Sequence, residues 1–168
     1  LTTIGSMELA AMHWLRYQKG CALITLERQP RHVAWSRPDA LGLTVQRELV
    51  EVEIKRTVAD FKANAKKRHV ILRNSFIDRW PHWFYFLVPK ALAPALADLR
   101  PTWAGLLTFD SRNGQVVAEA PARRNIAAPR LSLHECVRMA QLQTQTLMGV
   151  ATAAAYFRAA SLRLNSGE

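Results

Sequence analysis

Leu49-Val50-Glu51-Val52-Glu53-Ile54-Lys55 alternates apolar and charged residues without a break. Alternation with period two marks a strand, whose side chains point to opposite faces in turn. Val50, Val52 and Ile54 therefore face a core, and Glu51, Glu53 and Lys55 share the other face. Arg37-Pro38-Asp39 lies upstream, across a hairpin with Gln46-Arg47 at its tip. A neighbouring strand can thus set Asp39 beside the charged row. Two carboxylates and an amine on one strand face are costly to hold together unless something uses them. With Asp39 added, the row is a candidate site for a divalent cation with a lysine beside it, which is the chemistry of phosphodiester cleavage. The plain alternative is an exposed sheet face with a surface ion pair, since antiparallel strands often keep one polar face.

Outward from this strand, Thr57-Val58-Ala59-Asp60 resembles a capping box with Asp in place of Glu, and it opens a helix through Phe61 and Ala65. The exposed side of that helix is basic, with Lys62, Lys66, Lys67 and Arg68. Upstream, Met7 to Lys19 has Leu9, Ala10, His13, Trp14 and Tyr17 at helical spacing, with Gly20 as a stop. Ala22 to Leu26 is a short apolar strand, and Val33 to Leu43 contains a second. Downstream, Trp83 to Val88 is an aromatic and branched strand ending at Pro89. Leu106 to Asp110 and Val116 to Glu119 flank Ser111-Arg112-Asn113-Gly114 as a hairpin. Ser132-Leu133-His134-Glu135 is a full capping box that opens an Ala-rich helix to about Leu164.

This order predicts an α/β domain with a central sheet. The first three strands form an antiparallel meander, and the helical crossover returns the fourth parallel to the third. The expected division is a core over 1–119, a linker or arm over 120–130, and a C-terminal helix within 131–168. That helix packs on the core or on a partner, and a homodimer through it is one option.

The chain has 168 residues and a formal charge of +10. That charge favours polyanions, nucleic acid before an anionic membrane surface. Hydrophobic residues make up 49% of the chain, which argues against disorder. Cys21 and Cys136 are too few for a disulfide framework, and the five histidines show no zinc spacing. No apolar run approaches the roughly 20 residues a membrane span needs. An intracellular, cytoplasmic protein is the expectation.

In Pro38-Asp39 and Glu53-Ile54-Lys55 the chain resembles the PD-(D/E)xK nuclease superfamily. In Arg37-Pro38-Asp39, Val52-Glu53-Ile54-Lys55, Asp60-Phe61 and Phe84-Tyr85-Phe86-Leu87-Val88-Pro89 it is most similar to the MmcB-like DNA repair group of that superfamily. The likeness spans about residues 7–120. The chain departs from the group in the helix after the E-x-K strand, where it has Asn64 and Lys66-Lys67. The resemblance implies a restriction-endonuclease-like αβββαβ core, with a mixed sheet between helices, plus the long C-terminal helix as an addition. It implies a nuclease that cleaves DNA with magnesium or manganese and serves repair or processing.

Asp39 and Glu53 would hold the cation, with the Ile54 carbonyl as a further oxygen, and Glu8 is the helix-one carboxylate available to complete the set. Lys55 would position water or stabilise charge on the phosphate. Lys62, Lys66, Lys67 and Arg68 would contact nucleic acid. Two other functions stay open: a nucleic-acid-binding protein of the same fold without cleavage, and an interaction or scaffold protein working through its C-terminal helix.

Overall fold

The structure, a computed structural model, describes residues 5–26, 38–64, 81–145 and 147–148. Helix α1 spans Ser6–Tyr17 and is followed by strands β1 (Cys21–Leu26), β2 (Ala40–Thr44) and β3 (Leu49–Ile54). Helix α2 (Val58–Asn64) leads toward β4 (Trp83–Pro89). A single 3-10 turn at Lys90–Leu92 and helix α3 (Ala93–Leu96) then lead to β5 (Gly105–Asp110) and β6 (Gln115–Ala120). Residues 133–145 are helical and are called α4. The six strands form one sheet in sequential order. The β1, β2 and β3 strands are antiparallel, β3, β4 and β5 run parallel, and β6 returns antiparallel to β5. The fold is therefore mixed α/β, a six-stranded mixed sheet flanked by helices.

Local signals account for most of these elements. Gly20 takes a positive φ of 70° after α1, the left-handed conformation that glycine adopts without strain. Arg47 also has positive φ in the tight turn that joins β2 to β3, where the Thr44 amide bonds to the Glu48 carbonyl at 3.0 Å. Thr57 Oγ1 accepts the Asp60 amide at 3.0 Å, as the cap predicts. The turn and short helix at 90–96 have no counterpart in the sequence reading. They supply the crossover that β4 and β5 need to run parallel.

Three apolar clusters fill the layers. Below the sheet, Met7, Ala10, Ala11, Trp14 and Leu15 of α1 pack on Val50, Val52, Ile54, Tyr85, Leu87 and Leu107. The other face carries two clusters. Phe61 and Leu96 cover Phe84, Phe86, Val88 and Leu106, and Leu131 and Met139 cover Leu41, Leu43 and Leu49. Glu51 stands opposite Leu41 on β2 and beside Phe84 on β4, in the seam between those two clusters.

Residues 121–131 are tied to the body by backbone bonds. The Arg123 amide donates to Trp103 O at 3.0 Å, Asn125 N to His82 O at 2.8 Å, and Leu131 N to Arg47 O at 3.0 Å. Arg124 pairs with Glu48, which also accepts from Trp83 Nε1 at 3.1 Å. His82 is buried beneath this strap. Its Nδ1 accepts the Leu49 amide at 3.1 Å, and its ring also bonds the Ala128 backbone. One nitrogen must accept and the other donate, so the neutral imidazole is the form that fits. Burial pulls the His82 pKa below the ordinary histidine value, and Arg124 and Arg130 add to that, against the opposite influence of Glu48.

A histidine held neutral by folding contributes stability in full above its unfolded pKa of about 6.5, and that contribution is lost as pH falls toward the folded value. His82→Asn, which keeps an acceptor near the Leu49 amide but cannot titrate, is expected to flatten the stability profile between pH 7 and 5. Denaturant melts across that range test this. An unchanged profile in His82→Asn would remove His82 as the source.

Candidate active site at the end of β3

Lys55 extends β3 by one bond: its amide donates to Leu87 O at 2.9 Å, which continues the parallel pairing with β4. Its side chain therefore falls on the same face as Glu51 and Glu53. The three are only 1%, 3% and 2% exposed, respectively. This excludes the solvent-facing row that the alternation allowed, because helices cover both faces of the sheet. Burying such a row is expensive unless the charges are paired. Lys55 Nζ meets Glu53 Oε1 at 2.8 Å, a short charge-assisted bond. Lys55 Nζ also lies 3.7 Å from Asp60 Oδ1, at the start of α2.

Asp39 enters from β2. Ala40 pairs with Val52 and Leu41 with Glu51, so one step further the register sets Asp39 opposite Glu53. Asp39 Oδ2 accepts the Ile54 amide at 2.6 Å. The Asp39 carboxylate thus continues the β2–β3 ladder past the end of β2 and is held at the strand end where Glu53 and Lys55 meet.

Glu8 arrives at this end from the first turn of α1, and its Oε1 bonds the Arg56 guanidinium at 2.6 Å. Its other oxygen, Oε2, is buried without a hydrogen-bond partner. Of the four basic residues expected to meet nucleic acid, Lys62 is exposed on α2. Lys66, Lys67 and Arg68 lie outside the described residues, as does Arg37.

Asp39, Glu53 and the Ile54 carbonyl are hard oxygen donors. They suit magnesium, which is commonly held by one or two carboxylates and keeps several waters. Among the described residues no three His, Cys, Asp or Glu side chains gather closely enough to hold an ion by themselves. Water and substrate oxygens would therefore have to supply most of the shell. Glu8, expected to complete the set, pairs with Arg56 and lies on a helix that covers the opposite face of the sheet from Glu53, so the described residues do not gather it with Asp39 and Glu53. Two cavities of about 280 and about 620 Å³ flank α1 elsewhere and include none of Asp39, Glu53 or Lys55.

The sequence reading passed over two participants. Asp60 looked like a helix-start residue only, yet its carboxylate also reaches Lys55. The available signal was its position in the first turn of a helix that begins directly after Lys55. Arg56, the partner of Glu8, carried no signal, because the contact joins residues far apart in the chain. Cys21 is a buried thiol whose pKa burial pushes up to about 12, against Lys19 and Arg16, so it is no nucleophile.

No protein-family profile matches the chain, and no curated protein does. Among solved structures it is similar to a protein of unknown function from Silicibacter pomeroyi, at 24% identity and a TM-score of 0.54, covering 95% of this chain and 90% of that one. This likeness concerns the fold. No helix among the described residues is long and apolar enough to cross a membrane.

Proposed function

We propose that this protein is a divalent-metal-dependent nuclease acting on DNA, on a restriction-endonuclease-like core to which the C-terminal helix is an addition. One observation carries the proposal. A buried Glu53–Lys55 pair sits at the end of a central strand, with the Asp39 carboxylate held in register on the adjacent strand. A protein with no use for charge at this position could replace the pair with apolar residues at little or no loss of stability.

Asp39 and Glu53 would hold magnesium or manganese, which acidifies bound water and steadies a leaving oxygen. Lys55 would place its ammonium against the reacting phosphate, where it opposes developing negative charge. The Asp39 bond to the Ile54 amide would fix that carboxylate before substrate arrives. Lys62, with Lys66, Lys67 and Arg68, would hold the phosphate backbone, consistent with the +10 charge.

A non-cleaving nucleic-acid-binding protein of the same fold is the second reading. It is favoured by the fact that Asp39 and Glu53 already satisfy protein donors. An interaction role would use the exposed Leu133, Val137, Leu147 and Met148 of the C-terminal region, which a second copy could cover.

Metal and salt responses test the first reading. Magnesium is expected to raise the melting temperature, because a ligand that binds only the native state stabilises it. Asp39→Asn should remove that shift. DNA affinity should fall steeply with salt, and charge reversal at Lys62, Lys66 and Lys67 should weaken binding on all sequences alike. A magnesium shift of full size in Asp39→Asn would place the metal elsewhere.

A further inference from the structure

We propose that Asp60 is a positioning residue for Lys55, receiving its ammonium when the Glu53 carboxylate turns to a divalent cation. The inference rests on the metal-dependent reading above and concerns how that site changes state.

Lys55 is buried, and a buried ammonium needs an anion beside it at all times. Its partner here is Glu53 Oε1 at 2.8 Å. A cation ligated by either oxygen of that carboxylate would draw its charge away from this bond. A cation on Glu53 would also repel the ammonium. Until a substrate phosphate arrives, Lys55 must then find a second anion within reach of its buried position.

Asp60 Oδ1 lies 3.7 Å away, within reach of a small change in the lysine side chain. Asp60 is well anchored for this role. Its amide is capped by Thr57 Oγ1 at 3.0 Å. The next residue, Phe61, is buried with its ring centroid 4.7 Å from that of Phe86. Phe86 is the β4 partner of Glu53 in the sheet register. The helix start is thus packed against the strand beside the very carboxylate that Lys55 would leave.

The two carboxylates differ in a way that suits the exchange. The Asp60 side chain is 47% exposed, so water can solvate its charge while Lys55 is with Glu53. Glu53 is buried, so its charge cannot be screened by water in the same way. Without a cation the looser contact falls on the exposed acid, and with one each carboxylate would face a positive charge.

Manganese binding provides the test, measured by the paramagnetic signal of the free ion at neutral pH. Wild type, Asp60→Asn, Lys55→Met and the double variant are compared, with Lys55→Gln as the replacement if Lys55→Met fails to fold. Asp60→Asn is expected to weaken manganese binding tenfold or more in the wild-type background. In the Lys55→Met background the same change should have almost no effect, because Asp60 acts through the lysine.

Equal weakening in both backgrounds would mean that Asp60 acts on the cation directly, and would overturn the proposal. Unchanged affinity in Asp60→Asn would leave it a helix-start residue and would overturn the proposal as well. In either case the metal site itself would stand. No manganese binding by the wild type would sink the metal reading and this inference with it.

Discussion

Lys55→Ala is expected to lower DNA cleavage about a hundredfold or more, the scale for losing one electrostatic contact to developing charge. The variant removes no metal ligand. Manganese affinity should survive or tighten, because an ammonium 2.8 Å from Glu53 competes with the cation for that carboxylate. DNA affinity should change little, since one lysine is a small part of a protein of charge +10. Single-turnover cleavage, with metal and DNA binding recorded in parallel, separates these effects. The assay temperature must lie well below the melting point of the variant. Loss of metal binding in Lys55→Ala would mean that the lysine organises the site and does not act on phosphate.

The second large effect concerns stability. Removing one member of a buried ion pair leaves the other charge without compensation, at a cost of about 3–5 kcal/mol. Lys55→Met should therefore lower the melting temperature by about 10 °C in a chain of this size. Adding Glu53→Leu should recover most of that loss, because well-packed apolar residues often replace a buried pair at little net cost. The pair sits on the face where Phe84, Phe86 and Leu41 already make an apolar surround. The double variant would be stable and unable to cleave. Thermal melts of the two single variants and the double variant decide the matter. Losses that simply add would show that Glu53 and Lys55 do not depend on one another.

Much of the frame was legible because it is local. The alternation in 49–55 marked β3, the Gln46-Arg47 tip marked the hairpin, and the aromatic run to Pro89 marked β4. Chain order alone then required the antiparallel meander and the parallel return, and both are present. What could not be read was the burial of Glu51, Glu53 and Lys55. Period two says that two faces differ, not that one is wet. Of the covering groups, Phe61 comes from the helix that follows β3, but Leu96, Leu131 and Met139 come from distant parts of the chain.

The strap over His82 was hidden for the same reason. Its prolines and arginines have the composition of a linker, while its hydrogen bonds go to Trp103, His82 and Arg47. The pairing of Asp39 with the Ile54 amide follows from register once the hairpin is known. The reach of Asp60 to Lys55 depends on how α2 docks through Phe61, and no spacing rule supplies that.

The most direct measurement is cleavage of single-stranded, duplex, flapped and branched DNA by the purified protein with magnesium or manganese, beside a Glu53→Ala control. The account predicts metal-dependent cleavage of at least one substrate, abolished by chelation and by Glu53→Ala. Strong DNA binding without cleavage of any substrate under either metal would contradict it and leave a binding protein in its place.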